Sequence, residues 1–162
     1  MSITEDRVRT VLSSILGSKN PKLGKTRFNK NMFLESKLDD SGDMIEIRLT
    51  LHSTVIVTIF SPKGFSIDGI KIFSIFLDSG GYDTRTTSRY MTAVLQSLSH
   101  TPFYTCLRKH QLCLYYIGAE NFPFRGLSFR RAMISLLATR RDPCYSLHHV
   151  IIDGIDYEIP QS

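Results

Sequence analysis

From Asp43 onward the sequence alternates: Ile45, Ile47, Leu49 and Leu51 are apolar, and between them stand Glu46, Arg48, Thr50 and His52. A period of two sends successive side chains to opposite faces, so this segment buries its apolar half as a strand with one wet side. Thr54 to Phe60 follows at once, β-branched and apolar on both faces, as an interior strand would be. Ser61-Pro62-Lys63-Gly64 is turn chemistry, and Ile70 to Leu77 supplies a third strand. The sequence therefore predicts an antiparallel meander, around which the rest of the chain must be arranged.

On the N-terminal side, Ser2-Ile3-Thr4-Glu5 reads as a capping box. Val8, Val11, Leu12, Ile15 and Leu16 then recur at helical spacing up to Gly17. After the meander a second helix is expected, capped by Thr86 or Thr87, with Met91, Val94, Leu95 and Leu98 on its buried face. Phe103 to Leu107 and Leu112 to Ile117 read as strands around a tight Arg108–Gln111 connection. Ser128 is placed to cap a third helix with Phe129, Ala132, Met133, Leu136 and Leu137 on its apolar side. Leu147 to Ile152, Asp153-Gly154 and Ile155 to Ile159 form a hairpin, because Asp-Gly suits a type I′ turn. The expected order is α-βββ-α-ββ-α-ββ, a single α+β domain with a mainly antiparallel sheet.

Composition agrees with that reading. In 162 residues, 42% are hydrophobic, enough for a core and too many for a self-solvating disordered chain. No apolar run approaches the length of a membrane span, and the acidic start, Met1 to Asp6, lacks the apolar centre of a signal peptide. Three cysteines are an odd count for a disulfide framework. A soluble protein of a reducing compartment is expected, with no membrane partner.

The net charge of +5 is segregated. Between Ser18 and Asn31 stand Lys19, Lys22, Lys25, Arg27 and Lys30 with no acid, in a stretch read as a basic loop or arm. Between Asn121 and Arg141 stand Arg125, Arg130, Arg131, Arg140 and Arg141, again with no acid. The remainder holds ten bases against fifteen acids, a net of −5. Clustered bases attract phosphate backbones through counterion release, and aromatics among them can stack on unpaired bases. Phe28 and Phe33 accompany the first block, and Phe122, Phe124 and Phe129 the second. On a helix the pairs Arg130-Arg131 and Arg140-Arg141 would share a side. DNA or RNA is the partner this pattern favours, and an acidic protein is the alternative.

A third candidate lies at Leu77-Asp78-Ser79-Gly80-Gly81-Tyr82-Asp83-Thr84-Arg85-Thr86-Thr87-Ser88-Arg89. Paired glycines before a helix expose amides to an anion, and Thr84, Arg85, Thr86, Thr87 and Arg89 add donors. At least one of Gly80 and Gly81 is expected at positive φ. The spacing is not that of a Walker loop. Asp78 and Asp83 read as turn-stabilising residues.

Leu51, His52 and Thr54, followed by Leu77 to Tyr82, Thr84, Thr86, Thr87, Arg89 and Met91, resemble a run found in small bacteriophage proteins of uncharacterised function. The resemblance spans about residues 45–95, and Thr92 stands where those sequences often have Asn. It implies phage origin, hence the cytoplasm of an infected bacterium, and brings no activity with it.

Catalytic and metal motifs are lacking. There is no Gly-x-Ser-x-Gly and no His-Glu-x-x-His. Cys106, His110 and Cys113, with Cys144, His148 and His149, fit no zinc module. The expectation is a non-enzymatic nucleic-acid-binding protein without cofactor. A host-takeover factor that inhibits an acidic host protein is the second reading, and an enzyme acting on a nucleotide or phosphodiester the third.

Overall fold

The computed structural model describes residues 3–16, 18, 20–62, 70–97, 103–116, 126–139 and 146–158. Helix α1 (Ile3–Leu16) precedes β1 (Gly24–Asn29), β2 (Met32–Leu38), β3 (Met44–Leu51), β4 (Thr54–Pro62) and β5 (Ile70–Asp78). Helix α2 (Arg85–Ser97) leads to β6 (Phe103–Arg108), β7 (Gln111–Tyr116) and the short β8 (Leu127–Ser128). Strands β9 (Arg131–Thr139), β10 (Ser146–Ile152) and β11 (Ile155–Glu158) follow. An eight-stranded sheet has the order β1-β2-β3-β4-β5-β9-β10-β11, antiparallel throughout, and β6-β7-β8 form a second, three-stranded sheet.

Register draws the apolar residues into rows. Ile47, Ile59, Ile75, Ile134 and Val150 are successive partners from β3 to β10. Leu34, Leu49, Val57, Leu77, Ala132 and Ile152 make the adjacent row. Both rows are buried, and they belong to one cluster with Val8, Leu12, Ile15 and Leu16 of α1 and Met91, Val94 and Leu95 of α2. Phe103, Leu112 and Leu114 of the small sheet join it. Each fully buried aliphatic side chain contributes about 1.5–3 kcal/mol. The two helices and the small sheet thus cover one face of the large sheet.

The predicted meander is present as β3, β4 and β5, and the two predicted hairpins as β6–β7 and β10–β11. Two-residue turns at Lys109-His110 (φ 50° and 64°) and Asp153-Gly154 (φ 48° and 85°) give these hairpins the twist that antiparallel pairs need. Two expectations are corrected. Among the described residues there are two helices, not three, because the segment read as a helix after Ser128 is strand β9. Ala132 to Ala138 is rich in helix formers, but it is apolar on both sides, and β5 and β10 flank it along its length. The basic stretch read as a loop or arm contains β1, which pairs with β2 from Gly24↔Ser36 to Asn29↔Met32. Lys25 and Arg27 of β1 sit on the edge strand of the sheet, where charge discourages pairing with another chain. Ser2, Gly17 and Leu98, expected at helix ends and on a helix face, lie outside the described residues.

Candidate nucleic-acid interface

The pleat that buries Ile47, Ile59 and Ile75 sends the intervening residues to the other face of the large sheet. One row there runs Lys25, Glu35, Arg48, Thr58, Phe76, Met133 and Ile151, and its neighbour runs Lys37, Glu46, Phe60 and Ser74. Phe76 is 39% exposed, and Lys25, Lys37 and Arg48 are exposed. Over β1–β3 the charged residues converge on a hollow of about 320 Å³ lined by Lys25, Glu35, Lys37, Glu46 and Arg48. Glu46 is shared between Arg48 (2.9 Å) and Lys37 (3.2 Å). Burial pushes its carboxyl up, but hydrogen bonds from Arg48 and Lys37 outweigh that and hold it below the usual range. Phe33 lies at the rim of this face, with the Lys25 ammonium 4.1 Å and the Arg27 guanidinium 5.4 Å from its ring centre. Phe28 points the other way, into the core, beneath Arg7.

One end of the sheet collects the second group of expected contacts. The Lys30-Asn31 and His52-Ser53 turns meet where the His52 amide donates to the Asn31 carbonyl (2.8 Å). The Ser79 amide donates to the Arg130 carbonyl (3.2 Å), which seats the glycine loop beside Arg130 and Arg131. Arg27 folds over this end, its guanidinium 3.4 Å and 3.3 Å from the carbonyls of Asn29 and Lys30. Arg27, Lys30, Gly80, Gly81, Arg130 and Arg131 therefore share one rim. Acids are mixed with them. Arg131 pairs with Asp78 (3.3 Å), and the Asp153 carboxylate accepts from the amides of Arg130 (3.0 Å) and Arg131 (2.9 Å). Of the other expected contacts, Lys22 is exposed in the segment before β1, whereas Lys19, Arg125, Arg140 and Arg141 lie outside the described residues. Because Arg131 opens a strand, the shared helix side foreseen for the arginine pairs does not form.

The glycine loop satisfies its own donors. Gly80 and Gly81 both have positive φ, 62° and 88°, as the sharp turn requires. The Gly80 amide donates to Asp78 Oδ1 (2.8 Å), that of Gly81 to Ser79 Oγ (3.2 Å), and that of Tyr82 to the Ser79 carbonyl (3.0 Å). Asp83 accepts from the Leu112 amide (3.0 Å) and ties the loop to β7. The helix cap is Thr84 rather than Thr86 or Thr87, since Thr84 Oγ1 accepts from the Thr87 amide (3.1 Å). Buried Thr87 instead stands 3.0 Å from the Thr84 hydroxyl. Thr84→Ala is expected to cost about 1 kcal/mol in urea unfolding, and Thr86→Ala, on the exposed side, much less. Arg89 turns to α1 and pairs with Glu5 (2.8 Å). Arg85 and Arg89 border an open groove of about 450 Å³ between the two helices and β6. With the amides of Gly80, Gly81 and Tyr82 engaged and Arg89 paired, the glycine turn reads as a joint that sets β5 against α2.

Cys106 and Cys113 face each other across β6 and β7, and burial pushes the Cys113 thiol up, away from the thiolate a metal would need. Among the described residues no three histidine, cysteine or acidic side chains group as metal ligands. The side chains of Cys144, His148 and His149 lie outside them. No described helix is long and apolar enough to cross a membrane. The chain matches no protein-family model, no curated protein and no solved structure.

Sequence reasoning missed Lys37, Arg48, Phe60 and Phe76 as members of one surface. The alternation around Arg48 had assigned it to the wet side of β3. Only the register places Arg48 in one row with Lys25 and Phe76, two strands from each.

Proposed function

We propose that this chain is a small phage-encoded, non-enzymatic protein that binds nucleic acid through the rim of its large sheet and the face opposite α1 and α2. The observation that carries the reading is the convergence of Lys25, Lys37 and Arg48 on one hollow, beside Phe33 and Arg27. Bases from β1, β2 and β3 meet there, and because Glu46 holds Lys37 and Arg48 as Asp78 holds Arg131, Lys25 and Arg27 are the cations expected to contribute most. Phosphates can displace water and counterions from such a surface without entering a pocket.

A salt titration of DNA and RNA binding tests this. The affinity should fall linearly on a log–log scale, and Lys25→Ala and Arg27→Ala should each reduce the slope by about one. Both variants should weaken binding alike across sequences, since phosphate contacts carry no base information. Arg131→Ala should matter less, because Asp78 already holds its guanidinium. Absence of binding at low salt overturns the proposal and leaves an acidic host protein as the ligand to seek.

A further inference from the structure

We infer that the nucleic acid is single-stranded and lies across the sheet face opposite α1 and α2, its phosphates over β1–β3 and its bases on Phe60 and Phe76. This rests on the nucleic-acid reading above and adds the strand type and the stacking residues. The face is divided along its width. Lys25, Lys37 and Arg48 occupy the three strands at one side, and Phe60, Phe76, Met133 and Ile151 the four that follow. The distance from β1 to β5 is roughly 19 Å at the usual strand spacing, so a short oligonucleotide can reach from the cations to the rings.

The rings decide the strand type. Phe60 and Phe76 meet edge to face, with centroids 5.7 Å apart and planes at 85°. Such a pair leaves a ring face free to receive another planar group. In a duplex both π faces of each base are taken by its neighbours, so an exposed phenylalanine on a sheet has nothing to stack against. Unpaired bases carry free faces, and every base has one, so stacking tolerates sequence. Groove reading of a duplex calls for a protruding helix or β-ribbon, and among the described residues both helices pack on the opposite face. Lys25 and Arg27, which Glu46 does not hold, explain why this apolar half would take a base rather than a second copy of the chain: they supply what a phosphate backbone needs and a self-contact does not.

The test uses the full chain with a labelled oligothymidylate, its oligouridylate counterpart and a duplex of equal length. Phe76→Ala should weaken single-strand binding roughly tenfold and leave the duplex unaffected. The chain contains no tryptophan, so Phe76→Trp introduces a single reporter whose emission should be quenched as a base stacks on it. That variant also keeps an aromatic at the site should the alanine variant fail to fold. Equal binding of single strand and duplex, with Phe76→Ala neutral and Lys25→Ala weakening both, overturns this inference and leaves the general nucleic-acid reading intact. No binding of any probe at low salt overturns both. A dimer that Phe76→Ala dissociates, with no oligonucleotide bound, assigns the face to self-association and overturns it too.

Discussion

Replacing Gly80 with alanine should destabilise the protein by about 3 kcal/mol, from two sources that can be separated. Its φ of 62° is costly for any residue with a β-carbon, on the order of 1–2 kcal/mol. A β-carbon added there would also stand 2.6 Å from Thr54 Cγ2, inside any real contact distance. Relieving that overlap displaces the start of β4 or the loop, a further cost of roughly 1–3 kcal/mol. Gly81 is the control, because its φ is 88° and a β-carbon there meets nothing within 4 Å. Gly81→Ala should therefore cost only the backbone part. Urea unfolding of both variants gives the comparison, and Thr54→Ala combined with Gly80→Ala should recover the steric part as a favourable coupling. If the two glycine variants lose the same stability, the approach of Thr54 is not what requires glycine at 80.

That pair of glycines shows where the sequence was transparent. Two glycines between an apolar strand and a helix announce a left-handed turn, and both residues adopt it. The central strands were equally plain, since the alternation from Ile45 to Leu51 is a local signal, although Ser61 and Pro62, read as the start of a turn, still belong to β4, and Lys63 and Gly64 lie outside the described residues. Strands β1 and β2 were not. The inward position of β2 between Leu34 and Leu38 is Ser36, which breaks the apolar alternation. The structure gives its reason: Ser36 Oγ sits 3.2 Å from the Gly24 amide and 3.4 Å from the Gly24 carbonyl, so a hydroxyl serves the edge strand where a methyl group cannot. The candidate interface was still less legible. Lys25, Arg48 and Phe76 come from three separate stretches of sequence, and their place in one row depends on the register of β1 through β5. Charge counting found Lys25 and Arg27 because they cluster along the chain. It passed over Lys37 and Arg48, which cluster only in space.

Strand β9 was legible as apolar but not as a strand, and one comparison of variants separates the two conformations. A helix through residues 128–137 with Phe129, Ala132, Met133, Leu136 and Leu137 inside would leave Ile134 off its buried face. In the sheet the assignment is reversed. Ile134 lies between Ile75 of β5 and Val150 of β10 and is 0% exposed, whereas Met133 faces the opposite side next to Phe76. Ile134→Ala should then cost about 2–5 kcal/mol, the lost transfer energy plus the cavity left between two neighbours that are themselves fully buried. Met133→Ala should cost far less, because part of that side chain is already in water. The measurement is the midpoint of urea unfolding at constant slope, so that the difference reports stability and not a change in the denatured state. A larger loss at Met133 than at Ile134 would restore the helix and break the large sheet in two. That would remove β10 and β11 from their place beside β5, and with them the apolar half of the surface on which the bases are proposed to stack.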